Sequence, residues 1–128
     1  MIWAVALGSA FGGVARYLLG GLVQQASRGS FPVGTLVINV SGSFLLGLFY
    51  RYAADSAAIT PEVRAFLTIG FCGGYTTFST FSYETVRLIE DGEGGRALLY
   101  AGLSLLLSIG GMLLGLAAGR ELLVLRRS

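Results

Sequence analysis

The chain has 128 residues, nine arginines against seven acidic side chains for a formal charge of +2, 54% hydrophobic residues and a mean hydropathy of +0.73. That length fits one domain, and that composition excludes a soluble globule in favour of a membrane protein whose surroundings are lipid. The arginines are spread along the chain without the clustering that phosphate binding needs, so nucleic acid is no partner; the absence of histidine removes the common acid–base and metal-hydrolase constellations, so no enzyme is expected.

An α-helix needs about 20 mostly apolar residues to cross a hydrocarbon core ~30 Å thick. The first such span is predicted at about 2–23. It opens on MIWAVALG, which lacks a basic leader and continues past signal-peptide length, so it is read as a retained span. Arg16 interrupts it. A guanidinium at that depth would raise the local potential for an anion, or would serve structurally by snorkelling or bonding helix-end carbonyls.

After the turn SRGSFP, a second span is predicted at about 33–50, where Thr35, Asn39 and Ser43 follow at four-residue spacing on one face. The connector RYAADSAAITPEVR places Pro61 early in a new helix. The third span, about 65–83, contains GGYTTFSTF, a crowd of glycines and hydroxyls that reads poorly as a continuous helix. After EDGEGGR, the fourth span runs from about 97 to 119 and carries Tyr100, Ser104 and Ser108 at the same four-residue spacing. An even number of spans puts both termini on one side. Arg51, Arg64, Arg120, Arg126 and Arg127 on that side outnumber Arg28, Arg87 and Arg96 only slightly, a weak bias toward cytoplasmic termini.

Glycines at small-xxx-small spacing (Gly8 with Gly12, Gly70 with Gly74, Gly111 with Gly115 and Gly119) predict close helix packing, either within one bundle or between subunits. So tight a bundle leaves little room inside, which favours a pathway at an oligomer interface. The two polar tracks and the third-span cluster offer hydrogen-bond donors without negative charge, and the one acid close to a span interior is Glu84. Such a lining suits an anion better than a cation or a proton relay. Phe78 and Phe81, three apart, share a face; packing is the ordinary use of such a pair, but the positive edges of aromatic rings can also contact a bare anion. Cys72 is the sole cysteine, which excludes an intrachain disulfide.

With GGVARY at Gly12 to Tyr17, GTLVINVSGSFLLG at Gly34 to Gly47 and GFCGGYTTFSTFSYE at Gly70 to Glu84, the chain resembles the Fluc (CrcB) family of fluoride channels over nearly its full length. The resemblance implies an all-α bacterial protein of the inner membrane, with four transmembrane helices and the third broken near its middle. It further implies an antiparallel, dual-topology homodimer with two passive fluoride pores at the interface. Phe78 and Phe81 would meet the ion through ring edges and Asn39 through its amide. Thr35, Tyr100, Ser104 and Ser108 would form a polar track, with Ser79 and Thr80 nearby and Glu84 toward a pore mouth. A structural sodium ion would be held by the backbone carbonyls of Gly73 and Thr76 from both subunits, the glycines Gly73 and Gly74 having weakened the helix there. Two rivals share the composition: a proton-coupled multidrug exporter, which would need a glutamate that the first span lacks, and a packing subunit without transport of its own.

Overall fold

The computed structural model describes residues 1–127, which are helical apart from short connectors. Helix α1 (Ile2–Ser27) stops where Arg28 takes a left-handed conformation, φ 55°. The Gln24 amide ties down the turn that follows: Nε2 donates to the carbonyls of Gly29 (3.1 Å) and Phe31 (3.0 Å), and Oε1 accepts the Gly34 N–H at 2.9 Å. Helix α2 (Val33–Ala54) therefore starts pinned to the end of α1. Both helices outrun the predicted spans by about a turn, because their polar ends continue the backbone ladder beyond the apolar window.

The third unit is in pieces. Thr60 caps α3 (Pro61–Ala65) by accepting the Val63 N–H at 3.2 Å, with Pro61 at the first helical position where its missing N–H costs nothing. The chain then widens into a π-helical segment, Phe66–Cys72, and tightens again into one α-helical turn, α4 (Gly73–Tyr75). Thr76 (φ −82°, ψ 157°) and Thr77 (φ −148°, ψ 114°) are extended, and α5 (Phe78–Glu90) follows. The break thus falls at the two threonines. Gly73 is right-handed helical, φ −64° and ψ −38°, and Gly74 lies in the same turn, so the expectation that these glycines interrupt the helix is corrected. The β-branched threonines accept extended backbone readily, and a Cβ on Gly74 would stand 2.6 Å from the Ser9 carbonyl oxygen, so that glycine serves the approach of α1.

Helix α6 (Gly94–Arg127) closes the bundle with 34 residues, longer than the predicted span at both ends. Helices α1, α2 and α6 are each long and apolar enough to cross a membrane.

Two seams hold these elements. Helix α6 packs lengthwise on α2, with Gly111, Gly115 and Gly119 set against the carbonyls of Val40, Phe44 and Leu48. On the other flank, Gly8 and Gly12 of α1 face the backbone of the π segment, while Gly70 faces Val5. All seven glycines singled out by spacing therefore pack against backbone of their own chain. In lipid, where apolar side chains gain little by burial against each other, this backbone contact and its dispersion energy carry the association. Bulky burial is confined to a few side chains: Tyr100, Ile38 and Cys72 are about fully enclosed.

A valine at Gly115 would push its Cβ into the Phe44 carbonyl, and backbone cannot step aside as a side chain can. Gly115→Val is expected to cost at least ~1–3 kcal/mol, the usual overpacking range. Gly95 has open space around it at the start of α6, so Gly95→Ala should be neutral or stabilising by up to about 1 kcal/mol. Thermal unfolding in detergent, followed by the reaction of buried Cys72 with a thiol dye, checks both; equal melting of Gly115→Val and the parent would refute the seam.

Candidate anion pathway

The break in the third unit is clasped by one side chain. Asn39 Nδ2 donates to the Thr77 carbonyl at 3.0 Å, and the Thr77 N–H donates to Asn39 Oδ1 at 2.8 Å. Only Oδ1 can accept from a backbone N–H, so this pair fixes which way the amide faces and leaves the second N–H of Nδ2 uncommitted. Gly42, one turn along α2, lacks the Cβ that would run into the Thr76 methyl. Ser41 Oγ lies 2.9 Å from Tyr75 Oη, and Thr76 Oγ1 donates to the Cys72 carbonyl at 2.9 Å. On the far side, Thr77 Oγ1 accepts the Thr80 N–H at 3.1 Å and caps α5. Residues 38–42 of α2 are thus the seat into which the extended threonines fit.

Beside the clasp lies a cavity of about 310 Å³. Asn39 and Ser43 reach it from α2, Thr76 and Thr77 from the break, Phe78 and Phe81 from α5, and Ser104 and Ser108 from α6. None of the described residues that line it is charged. Ser104 is 7% exposed and its hydroxyl makes no hydrogen bond to the protein. The Phe78 and Phe81 rings stand 5.6 Å apart at 45°, and Phe81 leans on Tyr100 at 5.2 Å. Phe78 itself is 79% exposed, so this wall of the cavity is open within a single chain.

A second cavity, about 230 Å³, lies on the other side of Thr77, which lines both. It gathers Arg16 and Gln24 of α1, Thr35 of α2, and Thr80 and Glu84 of α5. Arg16 Nε donates to the Gly74 carbonyl at 3.3 Å, bonding the end of a helical turn as one of its two expected uses. Tyr100 Oη donates to Glu84 Oε1 at 3.0 Å.

The residues singled out from the sequence are therefore divided. Asn39, Phe78, Phe81, Ser104 and Ser108 share the first cavity; Thr35, Thr80, Glu84 and Arg16 share the second. Thr35 shares a helical face with Asn39, yet Thr77 stands between the two cavities because Asn39 draws it there. Tyr100 lines neither cavity, being fully buried with its hydroxyl turned to Glu84 and its ring against Phe31 and Phe81. Ser79 is exposed at the start of α5, its hydroxyl 3.4 Å from that of Thr77. Gly73 is exposed and Thr76 lines the first cavity. Thr77 and Gln24 escaped the sequence reading. A threonine just before the aromatic start of α5 is an N-cap signal that could have found the first; Gln24 carries no local signal.

Residues 3–116 match the family described as "CrcB-like protein, Camphor Resistance (CrcB)". The chain belongs to the CrcB family. Among similar proteins, the "Fluoride-specific ion channel FluC" of Geobacter sulfurreducens is 49% identical over 94% of this chain and 98% of its own length. The proteins of the same description from Thermus thermophilus (48% identical, 92% of this chain and 94% of theirs) and Aquifex aeolicus (47%, 78% and 81%) are close behind. The CrcB match takes in both cavities, the clasp and the two glycine seams as far as Gly115. With bacterial relatives and three apolar helices of spanning length, this CrcB chain is a multi-pass integral membrane protein.

Asn39→Ala would leave the Thr77 N–H and carbonyl without partners in an apolar setting. At ~1–3 kcal/mol per orphaned group, the variant should lose about 2–6 kcal/mol, read as a lower midpoint in thermal unfolding. Asn39→Asp keeps the acceptor for the N–H and should lose less. Parent-like stability of Asn39→Ala would show that the clasp holds nothing.

Proposed function

We propose that this chain forms a passive, fluoride-selective channel that exports fluoride and so confers resistance to it. The observation that carries the reading is the uncharged first cavity, where the unpartnered Ser104 hydroxyl, the spare N–H of Asn39, Ser108 and the Phe78 and Phe81 rings meet. Removing water from a small anion costs tens of kcal/mol by a Born estimate unless substitute donors are in place. Hydroxyl and amide donors supply part of that replacement, and positive ring edges supply weaker contacts from which the ion can leave. The CrcB membership and the relatives described as fluoride-specific ion channels support the same reading.

On this reading the broken third unit, 61–90, is the fourth membrane crossing, and two chains pair in antiparallel orientation with a pore at each side of their interface. The exposure of Phe78 supports this, since a second subunit would complete the wall that one chain leaves open. Thr35, Thr80, Glu84 and Arg16 would line the approach to the aromatic pair, with Tyr100 holding Glu84 in place and Ser79 at the start of α5 facing the paired chain. The break also suits a structural sodium ion. Because the Thr77 N–H goes to Asn39, the Gly73 carbonyl loses its helical donor, and Gly73 is exposed with open space about it. The Gly73 and Thr76 carbonyls of two chains would together offer four neutral oxygens, a donor set that fits a hard monovalent cation. When bound, the ion would supply only positive charge between the subunits.

Liposomes loaded with fluoride or chloride, read with ion-selective electrodes, test the reading. Fluoride efflux without a pH gradient and without matching chloride efflux is expected. Phe81→Ile should fold and pair as the parent does while conducting about tenfold less, the effect of ~1.4 kcal/mol at the barrier; Ser104→Ala should also slow efflux. Comparable chloride flux, or parent-like flux in both variants, would defeat it.

A further inference from the structure

The fold sorts the charges of this chain by end. At the end where α2 finishes and α6 terminates lie Arg51, Arg64, Arg120, Arg126 and Arg127, against Asp55, Glu62 and Glu121. At the opposite end Arg28, Arg87 and Arg96 balance Glu90, Asp91 and Glu93, and within the bundle Arg16 and Glu84 line one cavity. The whole formal charge of +2 therefore sits at one end. Among the described residues the one salt bridge is Arg96–Glu93, 3.2 Å, at the balanced end. Among the described residues none of the five arginines is paired with a carboxylate, although three acids lie at the same end.

Two of these guanidinium groups, those of Arg126 and Arg64, are instead held by neutral acceptors. Arg126 Nη1 donates to Tyr52 Oη at 2.7 Å and to Ser56 Oγ at 3.3 Å, with its guanidinium 5.9 Å from the Tyr52 ring centre. Arg64 Nη2 donates to the Ala53 carbonyl at 3.0 Å. The stem of Arg51 lies across Gly119, where a Cβ would come within 3.0 Å of it, beside exposed Arg120. Helix α6 has 34 residues, roughly 50 Å at 1.5 Å per residue. It outlasts a hydrocarbon core of ~30 Å, so Arg120, Arg126 and Arg127 near its end would reach the depth of the lipid headgroups.

We propose that Arg51, Arg120, Arg126 and Arg127 form a binding site for the phosphate of an anionic phospholipid at the α2–α6 end. A phosphodiester is the ligand whose charge complements guanidinium groups that lack carboxylates, and in a membrane it is delivered on the headgroup at that depth. The site stands independently of what the cavities conduct.

Purified protein in neutral detergent is titrated with phosphatidylglycerol, with phosphatidylcholine of the same chains, and with inorganic phosphate, while Cys72 dye reactivity reports thermal unfolding. Phosphatidylglycerol should raise the midpoint saturably, and the other two should not. Arg120 and Arg127 are exposed and their side chains make no hydrogen bond to another described residue, so Arg120→Gln/Arg127→Gln should fold normally. That double variant should need about 25-fold more phosphatidylglycerol for half the shift, about fivefold per arginine. Arg28→Gln/Arg87→Gln should match the parent. Acidic lipid retained through purification gives a second reading and should fall in the first variant alone. Equal shifts with phosphatidylcholine, an undiminished response in Arg120→Gln/Arg127→Gln, or an equal loss in the other pair would overturn the proposal. A shift by inorganic phosphate as large as that by the lipid would overturn the lipid assignment in favour of a free oxyanion site.

Discussion

A backbone that leaves its helix inside an apolar bundle must find partners for the amides it frees, and the architecture follows from how this chain meets that constraint. Thr76 and Thr77 are extended in the middle of the third unit. The freed N–H and carbonyl of Thr77 are both taken by Asn39, and the Thr77 side chain in turn caps α5. Satisfying a backbone pair with a side-chain amide has a geometric consequence that water would not have: it fixes the break against one residue of a neighbouring helix. The direction in which α5 departs, and so the placement of Phe78 and Phe81, is set by that attachment.

The attachment is only as firm as the helices behind it. Asn39 sits on α2, which is pinned at its start by Gln24 and along its length by α6 through glycines that bring the backbones together. The far side of the break is held by α1, whose Ser9 backbone meets Gly74 and whose Arg16 bonds the Gly74 carbonyl. The break is therefore gripped from both flanks by contacts that involve backbone. Backbone contacts have few rotamers to relax into, so misplacement on either flank is transmitted to the aromatic pair.

Much of this was legible in the residues. Three apolar helices of spanning length, Pro61 as a helix start and the donors at Asn39, Ser104 and Ser108 follow from composition and period, and they lie where those patterns put them. The break was legible in kind but not in place. Glycine propensity pointed to Gly73 and Gly74, whereas a tertiary bond from Asn39, 38 residues away, decides which residues leave the helix. Helical spacing likewise grouped Thr35 with Asn39, yet the wall between two cavities is Thr77, a residue of another element. Periodicity reports which residues share a face, and only packing reports what stands in front of it. The π-helical widening at Phe66–Cys72 has no signal in the sequence that we can name.

The hydroxyls of the bundle divide in a way that bears on what the first cavity can do. Thr68, Thr76, Ser82 and Thr85 each donate to the carbonyl four residues back, and Ser41 donates to the carbonyl three back. This is the ordinary fate of such groups in a helix. Ser104 has the same option, with the Tyr100 carbonyl one turn behind it, and leaves it unused. A buried hydroxyl that declines its own backbone retains its capacity to bind, at the cost of desolvation without a partner. The same holds for the second N–H of Asn39, whose first is spent on the clasp. The uncommitted donors thus lie around the cavity that the aromatic pair lines, while the groups around it that hold structure are already bonded. A lining with every donor satisfied internally would be inert toward an ion, and one with a carboxylate would repel an anion; this cavity has neither property.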